Sequence, residues 1–205
     1  YLNMFQSCRS LRTAPELPAT TMKDGCYSGM FAFCSALTEA PELPAMVLAR
    51  SCYGTDNPYG GGTGMFQGCS SLVTAPELPA MTLVDYCYSS MFDGCYSLTV
   101  APMLPAKTLV SYCYHRIFCS CQNLNSVTML ATDVSANDCL SLWLASVSST
   151  GTLTKAKEMN SLHTVFGGIP SGWTVKNYGE EEDTTPYIAF TANETQTLNM
   201  SKSVD

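Results

Sequence analysis

Cysteine is the residue type with the clearest potential for chemistry in this chain of 205 residues, which contains eleven of them. Ten fall into two series whose members recur at identical intervals, with one longer step between the second and third members. Only Cys119 stands outside both. The first series is Cys8, Cys34, Cys69, Cys95 and Cys121, and the second is Cys26, Cys52, Cys87, Cys113 and Cys139.

The spacing of the cysteines argues against a zinc site. Zinc sites usually have two ligands roughly two to four residues apart and then a second such pair, whereas Cys87 and Cys95 are eight residues apart. Disulfides between neighbouring repeats remain an alternative, because stacked strands lie about 4.8 Å apart and disulfides join Cα atoms roughly 4.4–6.8 Å apart. We favour reduced, buried thiols, since stacked side chains point the same way and cysteine fills a core well.

Catalytic machinery is sparse. The only histidines are His115 and His163, and no spacing places either of them in a catalytic triad. His115 replaces Ser89 of the preceding repeat, which predicts an exposed position. With no paired carboxylates and no ligand motif either, the sequence predicts neither an enzyme nor a cofactor.

A column of acidic residues is the best candidate for partner contact. Glu16, Glu42 and Glu77 share one repeat position, which is taken by Met103 and then by Met129 in later repeats. If this position faces outward, neighbouring glutamates repel each other. A basic partner or a bound cation would offset the repulsion, but we favour the simpler interpretation that water and splayed side chains absorb it.

All these residues are positioned by an internal repeat. The motif at residues 65–80 recurs at 91–106. We call the distance along the chain between these two copies the repeat length. Earlier copies lie at 4–19 and 30–45, and a weaker fifth copy begins at Ile117. A fixed period of this length is typical of repeats that stack on one another.

Each repeat divides into two parts. Cys87, Met91 and Phe92 have helical spacing, which predicts a short helix that ends near Gly94. The following segment contains Pro-x-x-Pro, and because proline cannot donate a ladder hydrogen bond, we expect a short strand that bends at a corner. A polyproline ligand for another protein is the alternative.

A nine-residue insertion interrupts the second repeat at residues 56–64. Its glycine-rich composition predicts a surface loop. A phosphate-binding loop would need a preceding strand and a following lysine, and neither is present. We consider Tyr59 and Asn57 as further candidates for partner contact.

The predicted domain organisation follows the decay of the repeat. We assign residues 1–124 to the repeat array, 125–178 to a degenerate repeat and C-terminal cap, 179–186 to an acidic linker, and 187–205 to an incomplete β module. Leu153 lies one repeat length after Val127 and predicts one more strand. Residues 168–175 predict a turn and strand that close the cap over Trp173.

Composition limits the partners. The net charge of −7 argues against nucleic acid, because phosphate binding needs clustered basic residues. No apolar run reaches about 18 residues, so no membrane span is predicted. Tyr1-Leu2-Asn3 does not resemble a signal peptide, and we expect the chain to be a piece of a longer protein.

The motif Met-Phe-x-Gly-Cys-x-Ser-Leu followed by Ala-Pro-x-Leu-Pro-Ala resembles the BspA-type leucine-rich repeats of bacterial surface proteins, especially those of Bacteroides-like gut bacteria. The resemblance covers residues 1–178. It implies an α/β repeat protein, a right-handed leucine-rich-repeat solenoid with about five 26-residue coils of short strand plus short helix and a C-terminal cap. The prolines in the strand segment and the insertion at 56–64 depart from the family pattern.

The resemblance also implies a function. Such arrays are non-catalytic parts of cell-surface or secreted proteins and are associated with adhesion, so the expected role is a protein–protein or adhesion-type interaction module with a protein or glycan ligand. The alternative is a structural spacer or fibre element of phage or mobile-element origin. Neither the ligand nor the oligomeric state follows from the sequence.

Overall fold

The computed structural model describes residues 1–57, 62–159 and 168–180. Its strands within these ranges are β1 (Ser126–Met129), β2 (Thr150–Lys155) and β3 (Gly172–Asn177). They form one parallel sheet in the order β1-β2-β3.

The predicted architecture is wrong. We expected about five coils of strand plus helix in a right-handed leucine-rich-repeat solenoid, but the described residues contain no helix and only three short parallel strands in one open sheet. The residues predicted to be helical, such as Cys87, Met91 and Phe92, lie in a continuous run of turns. Isolated β-bridges, most of them beside the ends of the proline segments, take the place of a regular ladder.

The hydrogen bonds of the turn segments explain why no helix forms. In the fourth repeat, the N–H groups of Tyr88 and Phe92 donate to the carbonyls of Cys113 and Ile117 in the next repeat, at 3.1 and 2.9 Å. Between them, the N–H of Met91 donates three residues back, to the carbonyl of Tyr88, at 3.1 Å. Alternate N–H groups therefore bond within the repeat and between repeats, whereas an α-helix directs all of them along its own axis.

The backbone reaches this arrangement by adopting left-handed conformations at every fourth residue. Tyr86, Ser90 and Gly94 have φ of 61°, 57° and 75°. A left-handed conformation costs a residue other than glycine about 1–2 kcal/mol. The bonds to the next repeat offset this cost, because they satisfy N–H groups that would otherwise be buried without a partner.

Consecutive repeats pack through two rows of aromatic rings. The phenylalanine rings stack with centroids 5.5 to 5.7 Å apart, and the tyrosine rings with centroids 5.7 to 6.0 Å apart. All four tyrosines are buried. The rows are Phe5, Phe31, Phe66, Phe92 and Phe118, and Tyr27, Tyr53, Tyr88 and Tyr114.

Two predictions for the C-terminal cap are confirmed. Val127 of β1 pairs with Leu153 of β2, at the predicted offset of one repeat length. Trp173 of β3 is buried, and its indole Nε1 donates to the carbonyl of Ser148 at 2.8 Å.

Several predictions fall outside the described residues. They concern the module at 187–205, all but the first two residues of the linker at 179–186, Tyr59, and His163. The division into domains therefore stays a prediction. In the described part of the chain, no helix has the length and apolar character needed to cross a membrane.

Candidate interaction surface

The outward side of the proline segments forms the candidate surface, which we call the proline face. It is built from residues 14–20, 40–46, 75–81 and 101–107. In each segment one leucine, such as Leu43 or Leu78, is buried in the core, while the residue that precedes it, a glutamate in the first three segments, is exposed. The alternation of an inward leucine and an outward glutamate is that of an extended chain with one buried side.

The acidic column faces outward at all three of its glutamates, Glu16, Glu42 and Glu77. The repulsion expected for an outward-facing column therefore applies. Glu16 and Glu42 border a groove of about 590 Å³ between the first and second repeats. Glu42 and Glu77 border a second groove, of about 430 Å³, between the second and third repeats. Prolines line both grooves, and none of the ion pairs between described residues involves these three glutamates.

The structure corrects one member of the column. Leu104 pairs with Met129, so the fifth repeat is one residue shorter than the repeat length at this point. Met129 is consequently buried in the core, and its assignment to the outward glutamate position is wrong. Met103 does lie at that position and is partly exposed.

Exposed apolar side chains accompany the glutamates, and sequence reasoning missed them. Met46 and Met81 occupy the same position in adjacent repeats, and each is 53% exposed. Three valines close to the proline segments along the chain are also exposed, namely Val47, Val73 and Val100. The repeat alignment contained a signal, because both methionines follow Pro-Ala at a position that carries Lys107 in the next repeat.

The insertion contributes to a different surface. Asn57 is exposed, and its backbone N–H donates to Thr55 Oγ1 at 3.1 Å. It borders a cavity of about 320 Å³ together with Asn3 and Thr63. The structure therefore does not bring Asn57 into the grooves of the glutamates, and Tyr59 lies outside the described residues.

Four of the five cysteines of the first series point into the stack. The thiols of Cys69 and Cys95 donate to the carbonyls of Phe31 and Phe66 at 3.1 and 3.2 Å, and those of Cys34 and Cys121 follow the same pattern. Burial raises the pKa of Cys69 to about 12, so this thiol is protonated at neutral pH. All eleven cysteines are free thiols in this structure.

A partly buried ion pair joins the fourth and fifth repeats and was not predicted. Arg116 donates to Asp93 Oδ2 through Nη2 at 2.8 Å and through Nε at 3.1 Å. Burial raises the pKa of Asp93, and the nearby guanidinium offsets this only in part. The thiol of Cys119 lies in the same environment, and burial raises its pKa as well.

His115 is not exposed, contrary to the prediction. Its exposed fraction is 2%, and its ring packs edge-on against Tyr112 with centroids 5.6 Å apart. Within the described ranges, no group of three or more His, Cys, Asp and Glu side chains could hold a metal ion.

Comparisons with protein-family models, with curated proteins and with solved structures find no match to this chain.

Proposed function

We propose that this chain is a non-catalytic interaction module of an exported bacterial protein, and that its proline face binds an extended segment of another protein. The observation that carries the proposal is the pair of adjoining grooves, which lie side by side along the stack and share Pro41, Glu42 and Pro44. Adjoining grooves of this kind suit a continuous peptide better than a compact small molecule.

The charge of the proline face favours a basic partner. Glu16, Glu42 and Glu77 lie at equivalent outward positions of successive repeats, so their like charges repel one another. A lysine or arginine placed between Glu16 and Glu42, or between Glu42 and Glu77, replaces this repulsion with attraction.

The exposed apolar side chains supply the non-polar contact that a peptide needs. Met46 and Met81 are unbranched and adapt to irregular partner surfaces, a property that recurs in peptide-binding proteins. Exposed apolar side chains grouped on one surface are typical of binding sites. The combination favours a partner segment that alternates basic and apolar residues.

The resemblance to BspA-type surface repeats supports placing this module on the cell surface or in a secreted protein. A structural spacer is the second candidate function. It is favoured by the unbroken row of stacked phenylalanine rings, which connects each of the five repeats to the next.

Selection from a library of random peptides displayed on phage tests the proposal. We expect enriched peptides that carry Lys or Arg, bind less tightly as salt rises, and lose at least about tenfold in affinity, or about 1.4 kcal/mol, on Glu42→Lys and on Met81→Asp. Tyr178→Ala, an exposed position in the cap, is the matched control and leaves affinity unchanged.

Two results would contradict the proposal. The absence of any enriched peptide would favour the spacer. Enriched peptides that bind the Glu42→Lys and Met81→Asp variants as tightly as the unmodified chain would place the binding site elsewhere.

A further inference from the structure

The methionines of this chain divide clearly by exposure. Among the described residues, six are buried in the core at 4% exposure or less, namely Met22, Met30, Met65, Met91, Met129 and Met159. Three of the four exposed methionines, Met46, Met81 and Met103, lie on the proline face. The fourth, Met4, lies in the turn segment of the first repeat. Exposed thioether sulfur is therefore concentrated on the surface proposed above for binding.

These three methionines lie close to the grooves along the chain. Met46 follows Pro44, and Met81 follows Pro79, by two residues in each case, and both prolines line the second groove. Met103 takes the outward glutamate position in the following repeat. Methionine is long and unbranched, so its side chain reaches a peptide that lies in the grooves.

Exposed thioether sulfur reacts with peroxides. Hydrogen peroxide transfers an oxygen atom to the sulfur: the O–O bond breaks, an S–O bond forms, two electrons pass from sulfur to the peroxide, and water is released. The product, methionine sulfoxide, is polar where the thioether was apolar. Reductases reverse the step, because their dithiol returns two electrons and two protons, releases the oxygen as water and becomes a disulfide.

We infer that Met46, Met81 and Met103 are sites of reversible oxidation by peroxide, and that their conversion to sulfoxides releases the partner from the proline face. The inference rests on the proposed function, because it takes this face as the binding surface. Peroxide reaches these three sulfurs without any opening of the repeats, whereas burial shields the core methionines. Oxidation therefore changes the contact chemistry of the proline face and leaves the stack of repeats intact.

Peptide mapping by mass spectrometry tests the modification without any partner. The folded chain is treated with hydrogen peroxide, and sulfoxide is quantified at each methionine over time. We expect Met46 and Met81 to oxidise at least about tenfold faster than Met65 and Met91, with an unchanged far-UV circular dichroism spectrum. Equal rates at exposed and core methionines, or a loss of the spectrum as the proline face oxidises, would overturn the inference.

The most enriched peptide of the phage selection, labelled with fluorescein, tests the effect on binding. We expect its Kd, measured by anisotropy, to rise at least about tenfold after peroxide treatment. Incubation with methionine sulfoxide reductases of both stereospecificities should restore the Kd. The matched control carries Met46→Leu, Met81→Leu and Met103→Leu, which conserve volume and apolar character. It keeps the exposed Met4 and Cys8, and peroxide should leave its affinity unchanged.

The inference and the proposed function fail in different ways. A reduced chain that binds no peptide contradicts the proposed function, and the inference falls with it. An oxidised chain that binds as tightly as the reduced one overturns the inference and leaves the proposed function standing, as does a triple leucine variant that loses affinity on peroxide treatment. Binding that the reductases do not restore overturns the reversibility of the oxidation.

Discussion

Replacing Phe92 by alanine tests whether the stacked rings carry the stability of this protein. Phe92 is fully buried and lies between Phe66 and Phe118, with centroids 5.7 Å away on both sides. Truncation of a buried phenylalanine costs about 3–5 kcal/mol. Phe92→Leu retains most of the buried volume and should cost about 1–3 kcal/mol, from two aromatic pairs worth roughly 0.5–1.5 kcal/mol each.

Phe5 supplies the matched control at the end of the same row. Its ring is only partly buried and stacks on a single neighbour, Phe31, at 5.5 Å. Because one stacking partner and part of the buried area are missing, Phe5→Ala should cost about half as much as Phe92→Ala, or about 1.5–2.5 kcal/mol. The comparison separates the stabilisation that comes from stacking within the phenylalanine row from the general cost of removing a phenylalanine.

Urea unfolding is the assay, followed both by tryptophan fluorescence and by far-UV circular dichroism. Coincident transitions by the two probes allow the free energies of unfolding to be compared directly. If Phe5→Ala and Phe92→Ala destabilise the protein equally, to within about 0.5 kcal/mol, the rings do not act as a cooperative row. The reasoning about repeat stacking would then be refuted.

Four further predictions concern burial and close packing. Burial raises the pKa of Asp93, so protonation of this carboxyl stabilises the folded protein fully below the pKa of the unfolded chain, about 3.9. That stabilisation is lost as pH rises through the folded pKa. Asp93→Asn should therefore gain stability relative to wild type between pH 4 and pH 7, and a constant difference across that range would contradict this assignment. A thiol titration of the denatured protein without reductant should count eleven free thiols, with exposed Cys8 reacting first in the folded state; only one free thiol after denaturation would show that the cysteines are bridged. Burial raises the pKa of Cys69 to about 12, so its contribution to stability should decline as pH rises above about 8.5, and Cys69→Ala should remove that part of the decline. Gly64→Ala would bring a Cβ into collision with the Ser90 carbonyl oxygen and should cost at least about 1–3 kcal/mol in urea unfolding; an unchanged midpoint would show that the backbone there relaxes freely.

The prediction of a helix failed for an identifiable reason. Cys87, Met91 and Phe92 recur at a spacing that brings side chains to one side of a helix, but a run of turns with a left-handed residue at every fourth position has the same recurrence. The two backbones differ in where alternate N–H groups find acceptors. Those acceptors belong to the next repeat, so a local window of sequence does not contain the deciding information.

The register of the fifth repeat relative to the fourth was also not predictable from the sequence. Counting one full repeat length from Met103 leads to Met129, but one residue is missing from this part of the fifth repeat, and Leu104 pairs with Met129. Because successive residues of an extended chain point to opposite sides, a shift of one residue moves a side chain from the surface to the core. His115 was misplaced for a related reason: an exposed position was inferred from a serine, Ser89, that is itself buried.

The sequence by itself determined which residues repeat and that a further strand would lie at Leu153, one repeat length after Val127. These conclusions rest on periodicity, which a stack of equivalent units must obey whatever its backbone conformation. Only the tertiary structure decided that the repeats are built from turns rather than helices, and that methionines and glutamates share the proline face. The physical reason is that hydrogen-bond partners and exposure depend on the neighbouring repeat, which is distant along the chain and comes into contact only on folding.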